Sequence, residues 1–247
     1  MNGGGALRFR SKSDIGLKRT ENQDAVRCEY FGHNVLAVVC DGMGGECAGK
    51  EASRLAVEEF FQRFSAGYTE SLSDDAVRKL LISSVSAANS VIYTKARLDL
   101  KNLGMGTTCV AAFVTDKTAF IANVGDSRAY LITDEGLHQI TKDHNVATAL
   151  FDQGKITAEE IEVHPQKHML VRAVGVERTV ITDTFILDYE DKISLLLCSD
   201  GLSGYCSNEE IYSTIINTPF DSVADELINL ALKRGGRDNI TAAVISD

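Results

Sequence analysis

The chain has 247 residues, 44% of them hydrophobic, which suffices to bury a sizeable core within one domain. Its 35 acidic and 25 basic residues leave a net charge of −10, so a polyanion is repelled and nucleic acid is excluded as the expected partner. There is no uncharged apolar run of roughly 18 residues and no apolar stretch behind Met1, so neither a membrane span nor a signal peptide is expected and the chain is placed in the cytoplasm.

In chain order, residues 35–40 form a short apolar run that ends in Asp41-Gly42-Met43-Gly44-Gly45, as a strand buried on both faces and stopped by a glycine turn would. A helix is predicted over 46–64, where Ala48, Ala52, Leu55, Ala56, Phe60 and Phe64 recur at helical spacing. A second helix over 73–98 would pack against it as an antiparallel pair. The period then switches to β-rich runs at 107–114, 118–124, 129–133 and 137–140, read together as an antiparallel meander. Residues 144–168 are helical and polar, interrupted by Gly154 and Pro165, and read as a surface excursion. Strands are expected again at 180–187 and 193–198, a helix pair over 208–233, and a last strand at 240–245. Helix pairs at both ends of a strand-rich middle predict a layered α+β sandwich. Only Pro165 and Pro219 occur and no linker-like tract separates two apolar blocks, so residues 1–247 read as a single domain.

The six cysteines, Cys28, Cys40, Cys47, Cys109, Cys198 and Cys206, show no C-x-x-C pair and are expected to be free, small core residues. Carboxylates recur where strands stop: Asp41, Asp126, Asp200 and Asp238, each beside glycine or another turn former. Taken singly, an Asp-Gly at a strand end is more often a plain turn. Taken together they suit hard divalent ions such as Mg²⁺ or Mn²⁺, and the lack of His-rich or Cys-rich spacing argues against zinc. The glycine turn at 42–45 also admits a dinucleotide-binding reading. Cys47 stands where a third Gly or Ala belongs, and Asp41 would set a negative charge beside the bound phosphates, so that reading is set aside.

Eight ordered segments resemble one family: SDIGLKRTENQD at 13–24, VCDGMGG at 39–45, GMGTT at 104–108, NVGDSRAY at 123–130, ITKDHN at 140–145, RAVG at 172–175, LCSDGLS at 197–203 and GRDNIT at 236–241. They resemble the metal-dependent (PPM-type, or type 2C) serine/threonine protein phosphatases in their short bacterial form. The resemblance implies a four-layer α-β-β-α sandwich, two antiparallel sheets flanked by antiparallel helix pairs, with 144–168 as a flap beside the cleft. It implies that Asp41 bridges two Mn²⁺ or Mg²⁺ ions, that the Gly42 carbonyl completes one, and that Asp200 and Asp238 hold the other. Asp126 would line a third, weaker ion, Arg19 would grip the substrate phosphate, and Asp24 would hydrogen-bond a water on the metals. Water activated between the two ions would then hydrolyse phosphoserine and phosphothreonine in proteins, with no phospho-enzyme.

Arg19 as a solvated surface charge and Asp24 as a turn cap are the plainer readings of those two residues. The chain departs from the family at Met43, where many eukaryotic members have a candidate acid histidine, at Gln23, where others carry glutamate, and at Gly204, where an aspartate often supports the third ion. A monomer is expected, with phosphorylated proteins and, by analogy, a cognate serine/threonine kinase as partners. A silent scaffold would be expected to lose Asp41, Asp200 or Asp238, and all three are present. A phosphatase dedicated to a phosphorylated anti-sigma antagonist would use the same chemistry and differ only in its docking surface.

Overall fold

The structure is a computed structural model that describes residues 6–45, 48–190 and 192–247. The expected helix start at Glu46 and the expectation for Cys47 lie outside the described residues. The elements, in chain order, are β1 (Arg8–Asp14), β2 (Asp24–Phe31), β3 (Asn34–Met43), α1 (Ala48–Gly67), α2 (Asp74–Leu98), β4 (Gly106–Thr107), β5 (Cys109–Val114), β6 (Thr118–Val124), β7 (Arg128–Thr133), β8 (Gly136–Gln139), α3 (Val146–Asp152), α4 (Ala158–Val163), β9 (Asp183–Asp188), β10 (Ser194–Cys198), α5 (Asp200–Ser203), α6 (Asn208–Asn217), α7 (Val223–Lys233) and β11 (Ile240–Ser246). No helix among the described residues is long and apolar enough to cross a membrane.

Alternation along the strands builds four layers, because successive side chains leave a strand on opposite faces. In β3, Leu36, Val38 and Cys40 pack against Phe60, Phe64, Leu81 and Ile92 of α1 and α2. Val35, Ala37 and Val39 face the other way and meet Leu195, Leu197, Ala243 and Ile245 of the second sheet. The far face of that sheet, with Leu196 and Val244, is covered by Ile211 of α6 and Leu227 and Ile228 of α7. Strand order is β2-β3-β5-β6-β9 in one sheet, with β4 beside β3, and β1-β11-β10-β7-β8 in the other, all pairs antiparallel. Lys95 of α2 pairs with Glu51 near the start of α1, while Arg63 near its end bonds Ser83, so the two helices run antiparallel.

The meander reading needs correction. Strands β5 and β6 pair, as do β7 and β8, but β6 and β7 lie in different sheets, and Gly125-Asp126-Ser127 carries the chain across the sandwich between them. The apolar run 35–40 does not stop at Asp41 either: β3 continues to Met43 because Gly42 and Met43 pair with Thr107 and Gly106. Strands β1 and β2 had no counterpart among the expected elements, and β9 begins at Asp183 rather than 180. The 144–168 excursion holds α3, capped by the Asn145 side chain on the Thr148 N–H, and α4, which buries no residue. The described cysteines are free; Cys40, Cys109, Cys198 and Cys206 are buried.

An aromatic cluster locks the helix layer to the first sheet. Phe64 lies 5.0 Å from Phe113 and 5.3 Å from Phe31, ring centre to ring centre, and is fully buried. Phe64→Ala is expected to cost about 3–5 kcal/mol, read as a lower midpoint in denaturant unfolding.

Candidate metal centre

Strand periodicity carries carboxylates to the open end of the sandwich. Asp41 and Met43 follow Val35, Ala37 and Val39 on the face of β3 that looks toward the second sheet. Asp24 pairs opposite Asp41 across β2 and β3. Its Oδ2 accepts 2.7 Å hydrogen bonds from Ser199, just past the end of β10, and from Thr241 of β11, so this carboxylate ties the two sheets together at their mouth. Asp200 opens α5 directly after β10, Asp238 stands just before β11, and Asp126 lies in the crossing between sheets. Gly42 is held so close to α1 that a Cβ there would fall 2.0 Å from the Gly49 carbonyl oxygen, so only glycine fits.

Arg19 sits on a loop strapped down by Asn239. The Asn239 amide donates to the carbonyls of Ile15 (2.9 Å) and Glu21 (3.0 Å), and its oxygen accepts from the Gln23 N–H (2.8 Å). Gly16 turns this loop with φ of 77°, where a Cβ would lie 2.1 Å from the Asp238 carbonyl oxygen. The Arg19 guanidinium reaches the cluster and donates to Asp238 at 2.7 Å.

The electrostatics are those of unneutralised negative charge. Burial, then Asp24, Asp200, Asp126 and Asp238, hold the Asp41 carboxyl well above the usual carboxylate range. Burial likewise lifts Asp24 to about 7, against the opposing hydrogen bonds from Thr241 and Ser199, with Asp200 and Asp238 adding to the rise. Asp126 is pushed up to about 8 by burial and then by Asp200 and Asp143. Oδ1 of Asp24 and Oδ1 of Asp200 are buried with no hydrogen-bond partner. Clustered carboxylates with orphaned oxygens suit hard divalent cations, which would supply both the missing charge and the missing partners. As they stand, no three His, Cys, Asp or Glu side chains among the described residues converge into a ready ligand set. Asp238 is turned to Arg19, and Oδ2 of Asp200 lies 3.3 Å from Nδ1 of His168.

Several contributors were not singled out from the sequence. Ser199 and Thr241 continue the inward-facing rows Leu195, Leu197 and Ala243, Ile245, so extending the strand period would have found them. His144 accepts the Gly125 N–H on Nδ1 (3.0 Å), which leaves Nε2 to carry the proton facing Asp183 (3.0 Å). Arg172 holds the other oxygen of Asp183 at 2.6 Å, and Arg128 makes a two-pronged pair with Asp143. These contacts pin the turn that carries Asp126. His168 comes from 32 residues before Asp200, and no local pattern marks it.

A family profile described as protein phosphatase 2C matches residues 18–243. The chain belongs to the protein phosphatase 2C family. Members of this family are metal-dependent serine/threonine protein phosphatases. The chain is similar to the serine/threonine phosphatase stp of Listeria monocytogenes, at 36% identity over 95% of this chain and 93% of that one. The structure of the serine/threonine phosphatase Stp1 from Staphylococcus aureus superposes with a TM-score of 0.91 at 35% identity, covering 100% of this chain and 97% of its own. The catalytic domain of the phosphatase PstP, solved in complex with 2 manganese ions, superposes with a TM-score of 0.80 at 34% identity, covering 97% of each chain.

For the metal-free phosphatase the raised carboxyl pKa values set the sign of a pH effect. A carboxyl that binds its proton more tightly in the folded state contributes stability below its unfolded pKa of about 4, and the contribution is lost as pH rises through the folded value. In chelator, stability in denaturant unfolding is expected to fall between about pH 4 and pH 8 as Asp24 and Asp126 ionise. Asp24→Asn, which cannot ionise, is expected to gain on the parent protein as pH rises through that window.

Proposed function

We propose that this phosphatase hydrolyses phosphoserine and phosphothreonine in proteins with two divalent cations, Mn²⁺ or Mg²⁺, gathered at the mouth of the sandwich. Asp41 would be shared by the two ions, the Gly42 carbonyl would help hold one, and Asp200 and Asp238 would hold the other. The observation that carries this reading is that carboxylates from separate stretches of chain are buried near one another, with Oδ1 of Asp24 and of Asp200 left without a hydrogen-bond partner, and that burial and neighbouring carboxylates raise the pKa of Asp24, Asp41 and Asp126. The two manganese ions of the PstP structure, at 34% identity, support it. When bound, such a pair supplies ionised water at neutral pH and neutralises charge on the phosphoryl group.

The chain's own residues do the rest. Released from Asp238, the Arg19 guanidinium makes two parallel hydrogen bonds to phosphoryl oxygens, a geometry that a planar fork allows and an ammonium does not. Asp24, fixed through one oxygen by Ser199 and Thr241, keeps the other for orienting a water beside the cations. Asp126 and Asp200 border a cavity of about 30 Å³ that also touches His168 and Gly204, the place for a third and weaker ion. Gly204 offers no carboxylate there, so that ion would rest on Asp126 and Asp200. Met43 brings no acid to the leaving oxygen, whose proton then comes from elsewhere. The proposed setting is a single-domain monomer in the cytoplasm that opposes a cognate serine/threonine kinase.

With a phosphothreonine peptide and Mn²⁺, Asp41→Asn is expected to abolish turnover while the protein stays folded by circular dichroism. Arg19→Ala is expected to lower kcat/KM by roughly 10²–10³. Chelator is expected to silence the parent protein, with activity restored by added Mn²⁺. Full activity in chelator or in Asp41→Asn would overturn the reading.

A further inference from the structure

Beside the carboxylate cluster lies an apolar groove of about 300 Å³, lined chiefly by Met43, Val171, Val176, Val180 and Ile181. Its volume is at the low end of the ~300–1,000 Å³ of ligand pockets, room for one or two side chains. Of the lining residues, Val171 is 56% and Ile181 72% exposed, large apolar side chains open to solvent at a groove, as at a binding surface. Met43 links the groove to the site: it lines the groove and leaves β3 on the same face as Asp41, with the two Cα atoms roughly 7 Å apart. That is also the spread between a phosphoresidue and the side chain of a near neighbour in an extended peptide.

The walls are fixed by backbone bonds. Thr107 and Val174 exchange hydrogen bonds at 3.0 and 2.8 Å, and Asn89 accepts from the Gly175 N–H at 2.7 Å and donates to the Glu177 carbonyl at 3.1 Å. Arg172, the cation lining the groove, is paired through Nη1 with Asp183, and among the described residues Glu177 on the same lining is in no ion pair. An acidic side chain therefore meets Glu177 and an Arg172 already paired with a carboxylate, whereas an apolar one finds a surface to cover.

We infer that this groove seats an apolar side chain lying within two residues of the phosphothreonine or phosphoserine in the protein substrate. The inference rests on the carboxylate cluster being the seat of the phosphate. The test scans one leucine, or one aspartate, through the two positions on either side of phosphothreonine in an otherwise glycine-serine peptide, with p-nitrophenyl phosphate as a substrate that lacks flanks. At one position leucine is expected to raise kcat/KM about tenfold over glycine, the effect of partly burying one such side chain, and aspartate to lower it. In Ile181→Asp and Val176→Asp the leucine-to-glycine ratio is expected to collapse toward one, whereas a general folding defect would lower both peptides alike and leave the ratio standing. Equal rates for all peptides in the parent protein, with p-nitrophenyl phosphate turned over in Mn²⁺, would overturn the groove and leave the metal site intact. Loss of turnover on every substrate, the p-nitrophenyl ester included, would overturn both.

Discussion

The constraint on which the rest of the structure depends is repulsion among carboxylates that the fold refuses to let go. Burial denies Asp24, Asp41 and Asp126 water, and the nearby charges of Asp200 and Asp238 add to the proton affinity of Asp24 and Asp41, as Asp200 does to that of Asp126. The basic side chains that do reach them, Arg19 on Asp238 and His168 beside Asp200, come from a loop and from the excursion over the cleft. Neither replaces a doubly charged ion, and both would have to share or surrender the same oxygens when one binds.

Such a cluster persists only if packing elsewhere over-determines it. The helix layer, the space between the sheets and the second helix layer each form a buried apolar cluster, and the strands that end at the site run through all of them. The polar restraints are local and specific. Ser199 and Thr241 hold Asp24, Asn239 holds the Arg19 loop, and His144 holds the turn before Asp126. The apolar framework supplies the stability, and these hydrogen bonds spend a little of it on position.

Much of this was legible in the residues. The helices α1 and α2, the strands from β5 to β8 and the four carboxylates at strand ends follow from period and punctuation, and the layered class follows from their order. What was missed has physical causes. Strands β1 and β2 are edge strands, half-exposed and rich in charge, so neither shows a continuous apolar run. A Gly-Asp-Ser turn looks alike whether it closes a hairpin or crosses between sheets, which is why β6 and β7 were joined in one meander. Asn239 and His144 act through backbone groups far away in sequence, and the groove joins Met43 to a segment more than a hundred residues later. Spacing along the chain carries no trace of either.

The most direct test is a crystal of this protein soaked in Mn²⁺ and measured at the manganese absorption edge. Two anomalous peaks in contact with Asp41, one of them also touching Asp200 and Asp238, with the Arg19–Asp238 pair opened, would be the expected result. An anomalous map with no peak among these carboxylates, and Arg19 still bound to Asp238, would contradict the account.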